Sequence, residues 1–227
     1  MSALIIAGSD IPCAAPVLTW EETGLAFIPG KHLRIRHRVS PPDTIVWHWT
    51  GGEPRGPATT YRVLRQRGLG VEFAISRDGE IWQFCDPALV DARDCGTWWD
   101  RRSVGVEIIN YGSRRPASRP WSWHVPRRGR DREVIETRLR GRRVYVAAFH
   151  PEQLAAADAL ADSLRLVMHI PHAMPRDADG EILDRPMRKC ERDDWDGGEV
   201  GHLQITTRAK PDPGVPFLER RAAGLGL

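Results

Sequence analysis

The sequence predicts an α/β fold: a central mixed β-sheet flanked by α-helices, with two surface insertions. Three observations lead there. Thr44-Ile45-Val46-Trp47-His48-Trp49 is a β-branched and aromatic run of the kind that forms a buried strand. Arg77-Asp78-Gly79 stands between two further runs, Val71–Ser76 and Glu80–Phe84. Asp-Gly at such a junction closes a hairpin, so at least one strand pair is antiparallel. From Pro151 to Met168, Leu154, Ala157, Ala161, Leu164 and Met168 fall on one stripe, and Pro151 suits a first helical position. Strands interleaved with helices place helices on the faces of the sheet.

The remaining elements follow in order. Residues 1–40 read as an N-terminal extension packed on a core domain of residues 41–227. Within it, Gly24–Ile28 and His32–Arg36 are expected as short strands around the Pro29–Gly30 turn signal. Residues 58–67 form a helix closed by Gly68. Ser103–Ile109 is a strand in which Val104, Val106 and Ile108 alternate with Gly105, Glu107 and Ile109. Two stretches lack periodicity and read as surface insertions: about 113–148, rich in Arg, Pro and Trp, and 171–198, polar and turn-rich.

Of the 227 residues, 41% are apolar and 28% charged, the balance of a chain that packs a core. The formal net charge of +3 favours approach to an anionic polymer without choosing between nucleic acid and cell wall. The basic stretch Arg127–Arg143 is interrupted by Asp131, Glu133 and Glu136 and matches no nucleic-acid motif, so nucleic acid is not the expected partner. No run approaches the roughly 18 apolar residues of a membrane span. The apolar run Ala3–Ala7 is short and has no basic residue before it, unlike a secretory signal. The expectation is a chain made in the cytoplasm. Cys13, Cys85, Cys95 and Cys190 form no CxxC pair and read as free thiols. Only Lys31, Lys189 and Lys210 are lysines, which makes each worth attention.

Among groups that do chemistry, His48 ends a strand just before a Gly-Gly loop, a place where α/β proteins put functional side chains. His202 and Asp212 lie near the C-terminus, close enough in sequence to loop back onto one ion. Two histidines and a carboxylate are a common catalytic zinc set that leaves a fourth position open. The chain has eight histidines, however, and one taken singly is more often a surface or core residue. The spacing is not local, as it is in HExxH, so these residues alone leave both readings open.

Four motifs in order close the gap. They are Val46-Trp47-His48-Trp49-Thr50, then Phe73 to Gln83 with its Arg77-Asp78-Gly79 turn, then Arg102 to Ile108, and last Gly201-His202 with Lys210-Pro211-Asp212-Pro213-Gly214. Together they frame residues 43–215, and in this order the chain resembles the zinc-dependent N-acetylmuramoyl-L-alanine amidases, a family that includes phage endolysins, wall-recycling amidases and peptidoglycan recognition proteins. The resemblance implies one Zn2+ per chain on His48, His202 and Asp212. It implies hydrolysis of the amide between N-acetylmuramic acid and L-alanine, with peptidoglycan or muropeptides as partner. Glu107, in the Gly-x-Glu strand, matches the family's general acid–base, with Glu72 as a rival. Lys210 matches the lysine that stabilises the oxyanion.

The chain departs from the family in two places: its two insertions are longer than the compact core needs, and one loop lacks a common residue. Relatives often carry a histidine in the loop between hairpin and next strand, where this chain reads Arg93-Asp94-Cys95-Gly96-Thr97. The expected substrate contacts are Asp94, Thr50 and the neighbouring Trp98 and Trp99, with Trp121 and Trp123 as further aromatic candidates. A phage-type lytic enzyme is the expected role. A muropeptide-recycling amidase and a non-catalytic binding module are the alternatives, the second disfavoured because all three ligand positions are filled.

Overall fold

Six strands form one sheet whose two faces have different work. A computed structural model describes residues 2–35, 41–51, 55–112, 133–208 and 210–226. The chain opens with a hairpin, β1 (Ala3–Ile6) and β2 (Ser9–Pro12), then β3 (Val17–Leu18), the one-turn helix α1 (Trp20–Thr23) and β4 (Leu33–Ile35). Next come β5 (Thr44–Gly51), α2 (Pro57–Gln66), β6 (Phe73–Ile75), β7 (Ile81–Gln83), β8 (Val90–Ala92), α3 (Thr97–Asp100) and β9 (Ser103–Tyr111). A second hairpin, β10 (Val134–Leu139) and β11 (Arg142–Ala147), leads to α4 (Pro151–Met168), α5 (Lys189–Asp193), β12 (Gly198–Gly201), α6 (His202–Ile205) and α7 (Val215–Gly224).

The sheet runs β12-β5-β9-β6-β7-β3. It is mixed, as expected: β5 lies parallel to both β12 and β9, β6 is parallel to β9, and the β6–β7 hairpin is antiparallel. One face is dry. Ile45 and Trp47 of β5, Val104, Val106 and Ile108 of β9, and Phe73 and Ile75 of β6 are buried against Ala157, Leu160, Ala161 and Leu164 of α4 and Phe217 and Leu218 of α7. Trp47 meets Phe217 edge-on with ring centroids 5.3 Å apart. Each fully buried Leu or Ile there contributes about 1.5–3 kcal/mol.

The other face is split. Ala74 of β6 packs with Tyr61 and Leu64 of α2, and Val46 of β5 packs with Trp99 and Val200. Between these two apolar clusters the sheet presents polar side chains. In β9 the alternation that turns Val104, Val106 and Ile108 inward turns Gly105 and Glu107 to this face. In β5 it does the same for His48, which stands opposite Glu107 in the strand register.

Several expectations need correction. Gly24–Ile28 is not a strand: α1 occupies the residues just before it and ends on Gly24, which takes the left-handed conformation at φ 68°. The expected strand His32–Arg36 is β4, which pairs with β8 beside the main sheet. The stretch 171–198 is not wholly surface insertion. It contains α5 and the first residue of β12, a sheet strand too short and too glycine-rich to show a period-2 signal. The described part of 113–148 is the β10–β11 hairpin, with Val144, Val146 and Ala147 buried. Trp121, Trp123 and residues 127–132 of the basic stretch lie outside the described residues. Residues 2–35 share the main core, since Leu4 and Ile6 are buried in it and β3 is an edge strand of the sheet. All four cysteines are free thiols. No helix among the described residues is long and apolar enough to cross a membrane.

Candidate metal centre and active-site cleft

His48, His202 and Asp212 are far apart in sequence, and the sheet brings them together. Gly201, the last residue of β12, pairs with Trp47 of β5, so His202 begins α6 beside His48. Asp212 reaches the same point because its carbonyl accepts from the Leu203 N–H at 2.8 Å. Glycine is required at 201: a Cβ there would stand 2.8 Å from Pro213 Cδ and 2.9 Å from Leu218 Cδ1. A side chain at that position would push the Asp212 segment away from β12.

All three side chains are buried, and their donor atoms lie within 4.8 Å of one another. Asp212 Oδ2 is 3.2 Å from His48 Nδ1 and 3.0 Å from His202 Nδ1. The imidazoles stand edge to face with centroids 4.6 Å apart. Tetrahedral ligands with bonds of about 2.0–2.1 Å lie roughly 3.3 Å from each other. The two distances to Asp212 match that spacing, and two nitrogens with one carboxylate oxygen are donors suited to zinc. The donor set therefore fits a single metal ion.

The electrostatics bind the cluster tightly. Burial alone would lower the His48 pKa, but hydrogen bonds from its ring to Asp212 and Asp94 outweigh it and push the value up to about 10. Asp212, despite burial, is held well below the usual carboxylate range by His202 and His48. His202 is lowered, by burial first and then by the neighbouring His48. Glu107 is raised to about 7, chiefly by burial; the charges of Asp212 and Asp94 act in the same direction, while His48 and Lys210 oppose. One Glu107 oxygen, Oε2, is sealed from solvent with no hydrogen-bond partner among the described residues. A carboxylate held in that state is poised to exchange a proton near neutral pH.

These groups share one cleft of about 310 Å³, lined by His48, Thr50, Asp94, Glu107, His202, Lys210 and Asp212 together with residues of β5 and α2. An adjoining depression of about 220 Å³ shares Thr50, Leu64, Arg67 and Glu107 and extends the cleft along α2. Lys210 is exposed at the rim. Arg140 donates to the carbonyls of Thr206 and Arg208 at 3.2 and 2.7 Å, bracing the turn just before it. The Thr50 hydroxyl donates to the Asn110 carbonyl at 3.0 Å.

Other expected site residues stand elsewhere. Glu72 is fully buried outside the cleft lining, and its carboxylate accepts the Ala92 N–H at 3.0 Å and the Gly105 N–H at 2.7 Å. It ties β8 to β9. Trp99 is a core side chain at 4% exposure, packed with Val46 and Val200, and is not the exposed platform the sequence suggested. Trp98 is the more exposed of the pair. It lies between the guanidinium groups of Arg102 and Arg192, at 4.8 and 5.1 Å from its ring, away from the cleft lining. Asp94 is in the cleft wall, but its carboxylate turns onto His48. Arg67 and Leu69 line the cleft without any sequence signal, because a helix end and the loop after it are placed there only by packing.

Fold and site together define a class: α/β enzymes that gather two histidines, an aspartate and a facing glutamate at the floor of one cleft. The family profile described as N-acetylmuramoyl-L-alanine amidase matches residues 38–215, and the chain belongs to that family. Among solved structures it is similar to the N-acetylmuramoyl-L-alanine amidase LysC from Clostridium intestinale, with a TM-score of 0.54 at 15% identity over 93% of this chain and 97% of that one. It is also similar to AmiD from E. coli, solved with an anhydro-N-acetylmuramic acid peptide, with a TM-score of 0.52 at 19% identity over 91% of this chain and 67% of that one. A third similar structure is the Drosophila peptidoglycan recognition protein SD, with a TM-score of 0.51 at 14% identity over 90% and 94%. At these identities the likeness shows the fold. A comparison with curated proteins found no match.

Proposed function

We propose that this chain hydrolyses the amide between N-acetylmuramic acid and L-alanine of peptidoglycan, depends on zinc, and acts as a phage-type wall-lytic enzyme. The observation that supports this reading is the convergence of His48 Nδ1 and His202 Nδ1 on Asp212 Oδ2, with Glu107 facing them across one cleft. His48, His202 and Asp212 hold the ion. When bound, zinc supplies Lewis acidity at this point.

The chain's own groups do the rest. Glu107 takes a proton from the attacking water and delivers it to the leaving amine of L-alanine, a task for which a pKa near 7 is well matched. Lys210 at the rim provides a positive donor for the charge that develops on the scissile carbonyl oxygen. Thr50 and the depression along α2 offer contacts for the rest of the substrate.

Mass spectrometry of purified peptidoglycan after digestion, with and without a chelator, tests the reaction and the metal together. The expected products carry a free L-alanine amine and appear only without chelator. Replacing His48 with Ala should abolish both cleavage and metal retention. Stoichiometric zinc without any cleavage would instead support a binding module.

A further inference from the structure

Asp94 is the cleft residue whose contacts the mechanism leaves unused. We infer that Asp94 is a positioning residue for metal uptake: its carboxylate holds the Nε2–H of His48 and so keeps the ring turned with Nδ1 toward the ion. The inference rests on the metal reading above.

Four observations carry it. His48 Nε2 lies 3.1 Å from Asp94 Oδ2, while Nδ1 on the opposite side of the ring lies 3.2 Å from Asp212 Oδ2. The His48 and Asp94 side chains are only 3% and 5% exposed, so water does not compete for the bond. The second Asp94 oxygen accepts from Cys95 Sγ at 3.1 Å, which fixes the carboxylate's rotation. Finally, Gly105 of β9 makes room for it, because a Cβ at that position would overlap the Asp94 carboxylate.

The chemistry follows from donor counting. A carboxylate only accepts hydrogen bonds, and a neutral imidazole carries one N–H. When the ion takes the Nδ1 lone pair, on the side facing Asp212, the one remaining N–H sits on Nε2, where Asp94 accepts it. A carboxylate behind a metal-binding imidazole fixes tautomer and ring orientation and increases ligand basicity. Asp94, expected from sequence as a substrate contact, thus acquires a different task.

The test measures zinc binding by competition with a chromogenic chelator, in the full chain and in its Asp94→Asn and Asp94→Ala variants. It is paired with imidazole 15N NMR of the zinc-loaded wild type. Removal of an outer-shell partner of this kind typically weakens metal binding about 10–100-fold. D94A should show that loss with the apo protein still folded by circular dichroism. D94N, which retains an accepting oxygen without its charge, should fall between. The NMR spectrum should show His48 protonated at Nε2, a result that needs no variant and stands even if both fail to fold. An Nδ1–H tautomer, or unchanged zinc affinity in D94A, would overturn the inference. An unchanged affinity with a raised KM for muropeptide would reassign Asp94 to substrate. If the wild type takes up no zinc, the metal reading fails as well; if it takes up zinc and D94A does so equally, only this inference fails.

Discussion

Glu107 and its rival Glu72 have different surroundings in the fold. Glu107 lines the cleft with one oxygen sealed and unpartnered among the described residues, while both oxygens of Glu72 are occupied by backbone N–H groups. Glu107→Gln should therefore keep zinc and lose about 10²-fold or more in kcat, measured on a soluble muropeptide. Glu72→Gln should leave kcat nearly intact but cost about 1–3 kcal/mol of stability in a urea titration, because its new amide N–H faces a backbone N–H. The pH profile provides an independent check. A general base acts when ionised, so kcat/KM should rise with pH as Glu107 loses its proton. Burial pushes that step up to about 7, and a bound cation draws it lower. The rising limb should disappear in Glu107→Gln.

At the scale of elements, a four-residue strand sets the position of His202. β12 is clamped through Glu199, which is fully buried and accepts from Trp47 Nε1 at 2.7 Å and from Arg221 at 2.8 and 2.6 Å. Arg165 of α4 also bonds it, so one carboxylate joins β5, β12, α4 and α7. Deleting one partner of a buried ionic cluster leaves the other charges unpaired. Glu199→Ala should destabilise the protein by about 3–5 kcal/mol, read by denaturant unfolding. It should also loosen zinc binding, since His202 follows three residues beyond Glu199, at the start of α6.

At the scale of the whole molecule, the described residues show a cleft holding His48, His202 and Asp212 and an adjoining depression along α2. A cleft with an adjoining depression accommodates an extended polymer as well as a fragment, and the phage-type reading takes the first. The discriminating measurement compares release from intact sacculi with cleavage of soluble anhydro-muropeptides. Cleavage of sacculi is the expected outcome. Efficient turnover of the fragments with no release from sacculi would make this a recycling enzyme and leave the site chemistry as described.

Where physics is local, the chain is readable without a fold. The β-branched run of β5, the Asp-Gly hairpin between β6 and β7 and the apolar stripe of α4 each follow from periodicity within a few residues. With them come the mixed sheet and its helices. The expected ligands His48, His202 and Asp212 came from the resemblance carried by the order of motifs, and the structure brings their donor atoms together. Contacts made across the sheet were not legible. That Asp94 turns onto His48, that Glu72 caps two backbone amides, that Trp99 is buried and that β12 exists at all depend on partners tens of residues away. A side chain's local pattern reports which face it occupies, whereas its chemistry is set by the distant groups that share that face, and only tertiary structure decides which those are.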